Sequence, residues 1–207
     1  MLLSRIGKRY GNIPFNISRN ISKLKQNLEG SINERLSQNI EPKILDYDEV
    51  KQLCENIKNP EKDEKDFLMY QFENRISPGV DETSHLKASF LNSICIEETN
   101  CDLIDKKKAI QLLGTMQGGY NIEPLINMLD SEELGDYASE ELSKMILIFD
   151  YFYDIEKKAN NGNKYARKVL ESWANGDWFL SNPEVPEKVS LSVFKVTGET
   201  NTDDLSP

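Results

Sequence analysis

The stretch Asp105–Leu129, DKKKAIQLLGTMQGGYNIEPLINML, decides the fold, because it contains two amphipathic segments joined by a short turn. The apolar residues of each segment recur at steps of three and four, which places them on one face of a helix. They are Ala109, Leu112, Leu113 and Met116 in the first segment and Ile122, Leu125, Ile126 and Leu129 in the second. Asp105 and Asn121 are suited to cap the two helices. We therefore predict a pair of helices joined by a tight turn at Gly118-Gly119.

The helical pattern continues on both sides of this pair. Toward the N-terminus, apolar spacing predicts a helix around Val50–Ile57, capped by Asp46 or Asp48, and further helices from about Lys62 to Ile76 and from Asp81 to about Ile94. Toward the C-terminus, it predicts a helix from about Ser139 to Tyr153, apolar on several sides and therefore central, and a last one over about Lys164–Asn175. Such a succession predicts a mainly α fold of stacked antiparallel helix pairs, HEAT-like in character.

The pattern changes near the end of the chain. Pro183 and Pro186 interrupt it, and Val189–Val196, VSLSVFKV, alternates apolar with polar residues as a half-buried β-strand does. A single strand cannot make a stable sheet by itself. We therefore predict a helical domain over residues 29–184, followed over residues 188–207 by the first strand and turn of a second, truncated domain.

The first 28 residues differ from the rest in charge. They contain six basic residues and no acidic one, whereas the whole chain has 35 acidic residues and a net charge of −10. An acid-free, Arg- and Ser-containing opening with an apolar start is typical of a mitochondrial transit peptide. We therefore predict a disordered transit peptide over residues 1–28 and a mitochondrial matrix location. The alternative is a basic tail on a cytoplasmic protein.

Composition also excludes two classes of partner. No apolar run approaches the 18 or so residues that a membrane-spanning helix needs. A sequence pI near 4.8 is unlike that of a general nucleic-acid binder, which needs clustered Lys and Arg for phosphates. We therefore expect neither a membrane nor a nucleic acid as partner.

Residues with chemical potential are few, and a structural role explains each of them. His85 has no nucleophile or carboxylate tied to it by the sequence. Cys54 and Cys95 fall on apolar helix faces, and Cys101 lies in a loop. Gly118-Gly119 lacks the preceding strand and the GK[ST] of a phosphate loop. Trp173 and Trp178 suit either a core or a domain interface. From its residues alone, the chain contains no active site.

Five stretches carry a resemblance to a known family. They are NRISPGVDE (Asn74–Glu82), LLGTMQGGYNIEPLINMLD (Leu112–Asp130), FDYFYDIEKKANNGNKYA (Phe149–Ala166), ESWANGDWFL (Glu171–Leu180) and VFKVTGETNTDDLSP (Val193–Pro207). Together they resemble the N-terminal part of the bacterial-type aconitase B family, from about Leu28 to the end of the chain.

The resemblance implies a particular architecture and chemistry. Members of this family open with a HEAT-like domain and a swivel domain, and three further domains carry a four-iron–four-sulfur cluster. The enzymes interconvert citrate and isocitrate through cis-aconitate in the tricarboxylic acid cycle. Whether 2-methylisocitrate dehydration is a further activity stays open.

The resemblance assigns no catalytic, cofactor-binding or metal-binding residue to this chain. The family's cluster cysteines, serine base and substrate arginines belong to regions beyond residue 207. In Thr202–Pro207, Asp204 stands where other aconitases have a His, so we assign it no catalytic role. We therefore expect this chain alone to be inactive and to bind no cluster. The alternative is a free-standing helical module that binds a protein partner or associates with itself.

Overall fold

The computed structural model describes residues 23–180, 187–191 and 198. Its described residues form ten α-helices and one 3₁₀ turn. The helices are α1 (Lys23–Ser37), α2 (Tyr47–Lys58), α3 (Lys65–Asn74), α4 (Glu82–Cys95), α5 (Lys106–Gly114), α6 (Ile122–Met128), α7 (Gly135–Ser143), α8 (Tyr151–Asn160), α9 (Lys164–Asn175) and α10 (Asp177–Leu180), and the 3₁₀ turn (Lys62–Glu64) precedes α3. The mainly helical fold is thus confirmed.

The helices pack in a row along one compact unit, residues 18–182. Helices α2, α4, α5, α7 and α9 contact one another in that order, while α3 packs on α2, α6 on α7 and α8 on α9. Their buried faces form one apolar core that runs from Leu24 in α1 to Val169 in α9. Among the described residues, no helix is long and apolar enough to cross a membrane.

Polar residues start several helices where the sequence predicts. Asp46 and Glu49 form a reciprocal capping box at α2, with both of its nitrogen–oxygen distances at 3.0 Å. The Asp81 carboxylate accepts from the Ser84 amide at 2.9 Å, and the Asp105 carboxylate from the Lys108 amide at 2.7 Å. These bonds satisfy amides that a helix start leaves without an intrahelical partner. The predicted starts at Asp81 and Asp105 are confirmed, and Asp46 rather than Asp48 caps α2.

The cap predicted at Asn121 is wrong. The residue has helical backbone angles, and its side chain makes no capping bond to α6. Its side-chain nitrogen, Nδ2, instead donates to the carbonyl oxygens of Leu113 (2.8 Å) and Met116 (3.1 Å). Asn121 therefore closes the C-terminal end of α5, where the last carbonyls lack helical partners.

The central helix predicted over Ser139–Tyr153 is also wrong. Helix α7 ends at Ser143, residues 144–150 form a connection, and α8 begins at Tyr151. Within the connection, Ile148 is buried, whereas Ile146, Leu147 and Phe149 are exposed. The apolar side chains therefore divide between core and surface, which one continuous helix in the core would not allow.

The predicted N-terminal and C-terminal segments, residues 1–28 and 188–207, each overlap only partly with the residues that the structure describes. Residues 23–28 of the predicted leader belong to α1, because Leu24 and Leu28 are buried in the core and hold this segment in the helix. The disorder predicted for residues 1–28 is therefore wrong at residues 23–28, and residues 1–22 lie outside the described part. The described residues of the C-terminal segment, 187–191 and 198, contain no strand. The rest of the predicted strand, residues 192–196, lies outside the described part of the chain.

Candidate functional site

Two of the loops that carry the family resemblance pack against each other. Gln117 donates its amide to the Pro78 carbonyl at 2.8 Å, and the Tyr120 hydroxyl donates to the Val80 carbonyl at 2.9 Å. A Cβ on Gly118 would overlap the backbone of Gly79, so only glycine allows this approach. The sequence correctly predicts a structural turn at Gly118-Gly119, and the structure adds that the turn joins α5–α6 to the loop before α4.

The polar groups around this loop pair bond to one another. Hydrogen bonds from the Ser77 and Thr83 hydroxyls and from the Ser84 amide lower the pKa of the Asp81 carboxyl well below its usual range. His85 packs its ring edge-on against Tyr120, with ring centroids 5.1 Å apart. Within the part of the chain that the structure describes, the His85 imidazole makes no hydrogen bond. The structural interpretation of His85 therefore explains its position.

The three cysteines do not fit an iron–sulfur cluster, whose ligands are convergent thiolates. Burial raises the pKa of the Cys54 and Cys95 thiols to about 12, which keeps both protonated. Cys101 is half-buried, and its sulfur lies 3.5 Å from the Ile57 carbonyl oxygen. Among the described residues, no group of three or more His, Cys, Asp or Glu could hold a metal ion.

Lys87 is a buried cation that sequence reasoning missed. Its side chain lies in the core of the α4 face with only 3% of the residue exposed, and its ammonium sits 5.2 Å from the centre of the Phe72 ring. Burial lowers the pKa of Lys87 from 10.5 to about 8, although the negative charge of Glu73 opposes the shift. A lysine side chain is ordinarily expected to be exposed to solvent. The residues around Lys87 in the sequence give no indication that it is buried.

An apolar groove of about 500 Å³ opens where α7 ends. We call it the aromatic groove, and its lining residues are Ile146, Leu147, Ile148, Phe149, Phe152, Trp173 and Trp178. The Trp173 indole donates to the Ser143 carbonyl at 3.2 Å and stacks on Phe152 with centroids 6.2 Å apart. These contacts hold the ring of Trp173 in place, so the groove is preformed.

Phe149 lies at the edge of this groove in an unfavourable backbone conformation. Its φ is +46°, in the left-handed region, and its side chain is 83% exposed. This conformation costs a bulky residue on the order of 1–2 kcal/mol. The same apolar residues led to the wrong prediction of a central helix. The spacing of apolar residues in the sequence indicates which side chains favour burial. It does not indicate whether they are buried in the core of this chain or against another protein.

A second groove, of about 770 Å³, is polar and lies between the end of α6 and the end of α8. Two of its charges neutralise each other, since the Lys158 ammonium lies 2.5 Å from the Asp130 carboxylate. Asn163 donates to the Leu129 carbonyl at 2.7 Å and caps α9 through its side-chain oxygen. These side chains fasten α8 and α9 to α6, so we assign them a structural role.

The row of packed helices defines an all-helical domain. Residues 27–179 match the family described as "Aconitate B N-terminal domain", and the chain belongs to this family. The family predicted from the sequence is thereby confirmed.

Curated relatives carry the name Aconitate hydratase B. The chain is 52% identical to the one from Escherichia coli (strain K12) over 174 residues, which are 84% of this chain and 20% of that protein. It is 50% identical over 176 residues to that of Pseudomonas aeruginosa, covering 85% and 20% of the two chains. For Helicobacter pylori (strain J99) the identity is 40% over 182 residues, with 86% and 21% covered. The chain therefore spans about a fifth of the length of these relatives.

Proposed function

We propose that this chain supplies the N-terminal helical domain of an aconitate hydratase, which interconverts citrate and isocitrate through cis-aconitate. The observation that carries the proposal is the family match over residues 27–179, supported by 52% identity to an aconitate hydratase B. We further infer that the helix row is HEAT-like and that residues 188–207 begin a swivel domain. The tricarboxylic acid substrate belongs to the whole enzyme.

The chemistry of the reaction belongs, in this proposal, to parts of the enzyme outside this chain. A four-iron–four-sulfur cluster needs thiolate ligands. Cys54 and Cys95 are instead buried thiols whose pKa is raised to about 12. The role left to residues 23–180 is to support and contact other protein, and this chain alone is expected to be inactive.

Reconstitution with iron and sulfide under anaerobic conditions tests this proposal. We expect the 207-residue chain to show no absorption band near about 400 nm and no citrate dehydration, since a cluster needs thiolate ligands and two of the three thiols are buried with a raised pKa. The Escherichia coli relative, reconstituted in parallel, is the positive control. A band that scales with this chain, or measurable turnover by it, would contradict the proposal.

The aromatic groove favours a second candidate function, a free-standing helical module that binds a protein. Exposed aromatic side chains in a preformed groove are typical of interaction sites. Sequencing the transcript past the codon of Pro207 distinguishes the candidates. A reading frame that continues into swivel and cluster domains supports the enzyme, and a stop codon supports the module.

The location of the protein follows from the fate of its basic leader. The relatives named above are all bacterial, which favours the cytoplasmic alternative over the mitochondrial prediction. Fusing residues 1–35 to a fluorescent reporter in a eukaryotic cell tests the leader directly. Mitochondrial fluorescence would support a transit peptide, and diffuse fluorescence would support a basic tail on a cytoplasmic protein.

A further inference from the structure

The aromatic groove presents apolar side chains that the described helical body leaves in water. Leu147 is 74% exposed and Phe149 is 83% exposed, and Ile146 and Tyr153 beside them are also exposed. Burying such side chains on binding is favourable because it removes apolar surface from water. The floor formed by Trp173 and Phe152 is already in place, so little ordering opposes binding.

The charges near the groove are acidic and unpaired. Asp150 adjoins Phe149, Asp177 adjoins Trp178, and Glu156 follows Phe152 by one helical turn; all three are exposed. None of the three makes an ion pair within residues 23–180. Lys144 lies 2.8 Å from Glu141, and Lys157, which follows Glu156, lines the polar groove instead. The groove therefore carries a local excess of negative charge.

Three acids on the neighbouring surface are paired instead. Asp130, Glu132 and Asp136 lie 2.5–2.7 Å from Lys158, Lys164 and Lys168 respectively. Lysines thus neutralise these three acids, whereas the three acids beside the aromatic groove make no such pair. Unpaired acids around an apolar centre complement a partner with basic residues beside an apolar face.

We propose that the aromatic groove binds an amphipathic helix of another protein, with Lys or Arg flanking its apolar face. Leu, Ile or Phe side chains at i, i+3 and i+4 enter the groove, and the cations lie against Asp150, Glu156 and Asp177. A second copy of this chain does not complement the site. A two-fold interface would place the acidic rims against each other, and each copy has a net charge of −10.

Fluorescence anisotropy with designed peptides tests the proposal on the full 207-residue chain. The probe is a fluorescein-labelled amphipathic peptide of about 18 residues built from Leu and Lys, and its counterpart replaces every Lys by Glu. We expect saturable binding of the Lys peptide and at least tenfold weaker binding of the Glu peptide. Equal binding of both would overturn the basic character of the partner.

Matched variants locate the binding. Phe149→Asn removes the aromatic side chain with a residue that tolerates a positive φ, and its control is Val80→Asn, which changes another exposed apolar residue, 72% exposed. We expect Phe149→Asn to weaken binding of the Lys peptide at least tenfold and Val80→Asn less than twofold. Leu147→Ser provides a second groove variant should Phe149→Asn lower the helical circular-dichroism signal.

Two double variants test whether the acids beside the groove, rather than the net negative charge of the whole chain, attract the Lys peptide. Asp150→Asn with Asp177→Asn should weaken the Lys peptide at least threefold at low salt, whereas Asp66→Asn with Glu98→Gln makes the same change in net charge away from the groove and should not. Equal losses in both pairs would overturn the site. So would a dimer in sedimentation that Phe149→Asn dissociates, because the occupant would then be a second copy.

Discussion

Lys87 shows how a single buried charge affects the stability of the whole fold. Burial lowers its pKa from 10.5 to about 8 in the folded protein, so below about pH 8 the folded state holds a charge that the unfolded chain holds more easily in water. At about 1.4 kcal/mol per pKa unit, this burial costs up to about 3 kcal/mol at pH 7. The Phe72 ring, 5.2 Å from the ammonium, offsets part of that cost.

Replacing this lysine should therefore stabilise the protein. Lys87→Met keeps a long side chain against Phe72 without the charge, and we expect the free energy of unfolding to rise by about 1–3 kcal/mol at pH 7. From about pH 8 to 10.5, the folded state loses the Lys87 proton while the unfolded state keeps it. Wild-type stability then rises relative to the variant, and the difference should shrink.

Urea unfolding of both proteins between pH 7 and 10.5 measures this difference, with the exposed Lys51→Met as control. A difference that stays constant with pH would mean that the Lys87 pKa is unchanged by folding.

Gly118 tests the contact between the two loops. In Gly118→Ala the new methyl group would overlap the Gly79 backbone, which cannot move aside as a flexible side chain can. We expect a loss of about 2–3 kcal/mol in unfolding free energy. Gly30→Ala is the matched control, because Gly30 lies in α1, where an added Cβ would meet open space, and the free energy of unfolding should rise by about 0.5–1 kcal/mol. Equal melting temperatures for the two variants would contradict the close packing of these loops.

At the scale of the helices, the sequence predicted those features that depend on hydrogen bonds between residues close together in the chain. The N-terminal caps at Asp81 and Asp105 depend on bonds within four residues, and the sequence located both. Asn121 escaped prediction because its side chain bonds to carbonyls five and eight residues earlier, at the end of another helix.

The aromatic groove escaped prediction for a different reason. An apolar run indicates burial in either a helix or a packed connection, and periodicity alone does not distinguish them. Leu142, Met145 and Ile148 recur at steps of three, and the Met145 amide bonds to the Leu142 carbonyl three residues earlier. The chain therefore tightens after α7 and turns Leu147 and Phe149 outward, which only tertiary structure reveals.

The capping box of α2 gives a test at this scale. Asp46→Ala removes the side-chain acceptor of the Glu49 amide but keeps the backbone amide of residue 46 that donates to the Glu49 carboxylate, so we expect about 1 kcal/mol of destabilisation. Asp48→Ala removes a carboxylate from the same first turn without a capping bond and should cost about 0.3 kcal/mol. Chemical denaturation of the two variants provides the comparison, and an equal loss would show that charge alone, without the capping bonds, stabilises the helix start.

The whole molecule depends on one core that spans the row of helices. Phe72 in α3, Leu91 in α4, Leu113 in α5 and Leu125 in α6 are fully buried and belong to the same apolar cluster as Leu28 in α1. Because every helix from α1 to α9 contributes to this cluster, we expect residues 18–182 to unfold as one cooperative unit. The aromatic groove lies on the surface of this unit, so its geometry depends on the stability of the row.

Two trimmed chains test where this unit begins. Residues 18–182 retain all of α1, and we expect them to keep the helical circular-dichroism signal and a cooperative urea transition close to that of the 207-residue chain. Residues 29–182 follow the boundary that composition predicts, and they lose Leu24 and Leu28, which are 4% and 1% exposed. Removing two buried leucines should lower the free energy of unfolding by about 4 kcal/mol or more. Equal stability of the two trimmed chains would show that α1 is not part of the core, and the domain would then begin at residue 29.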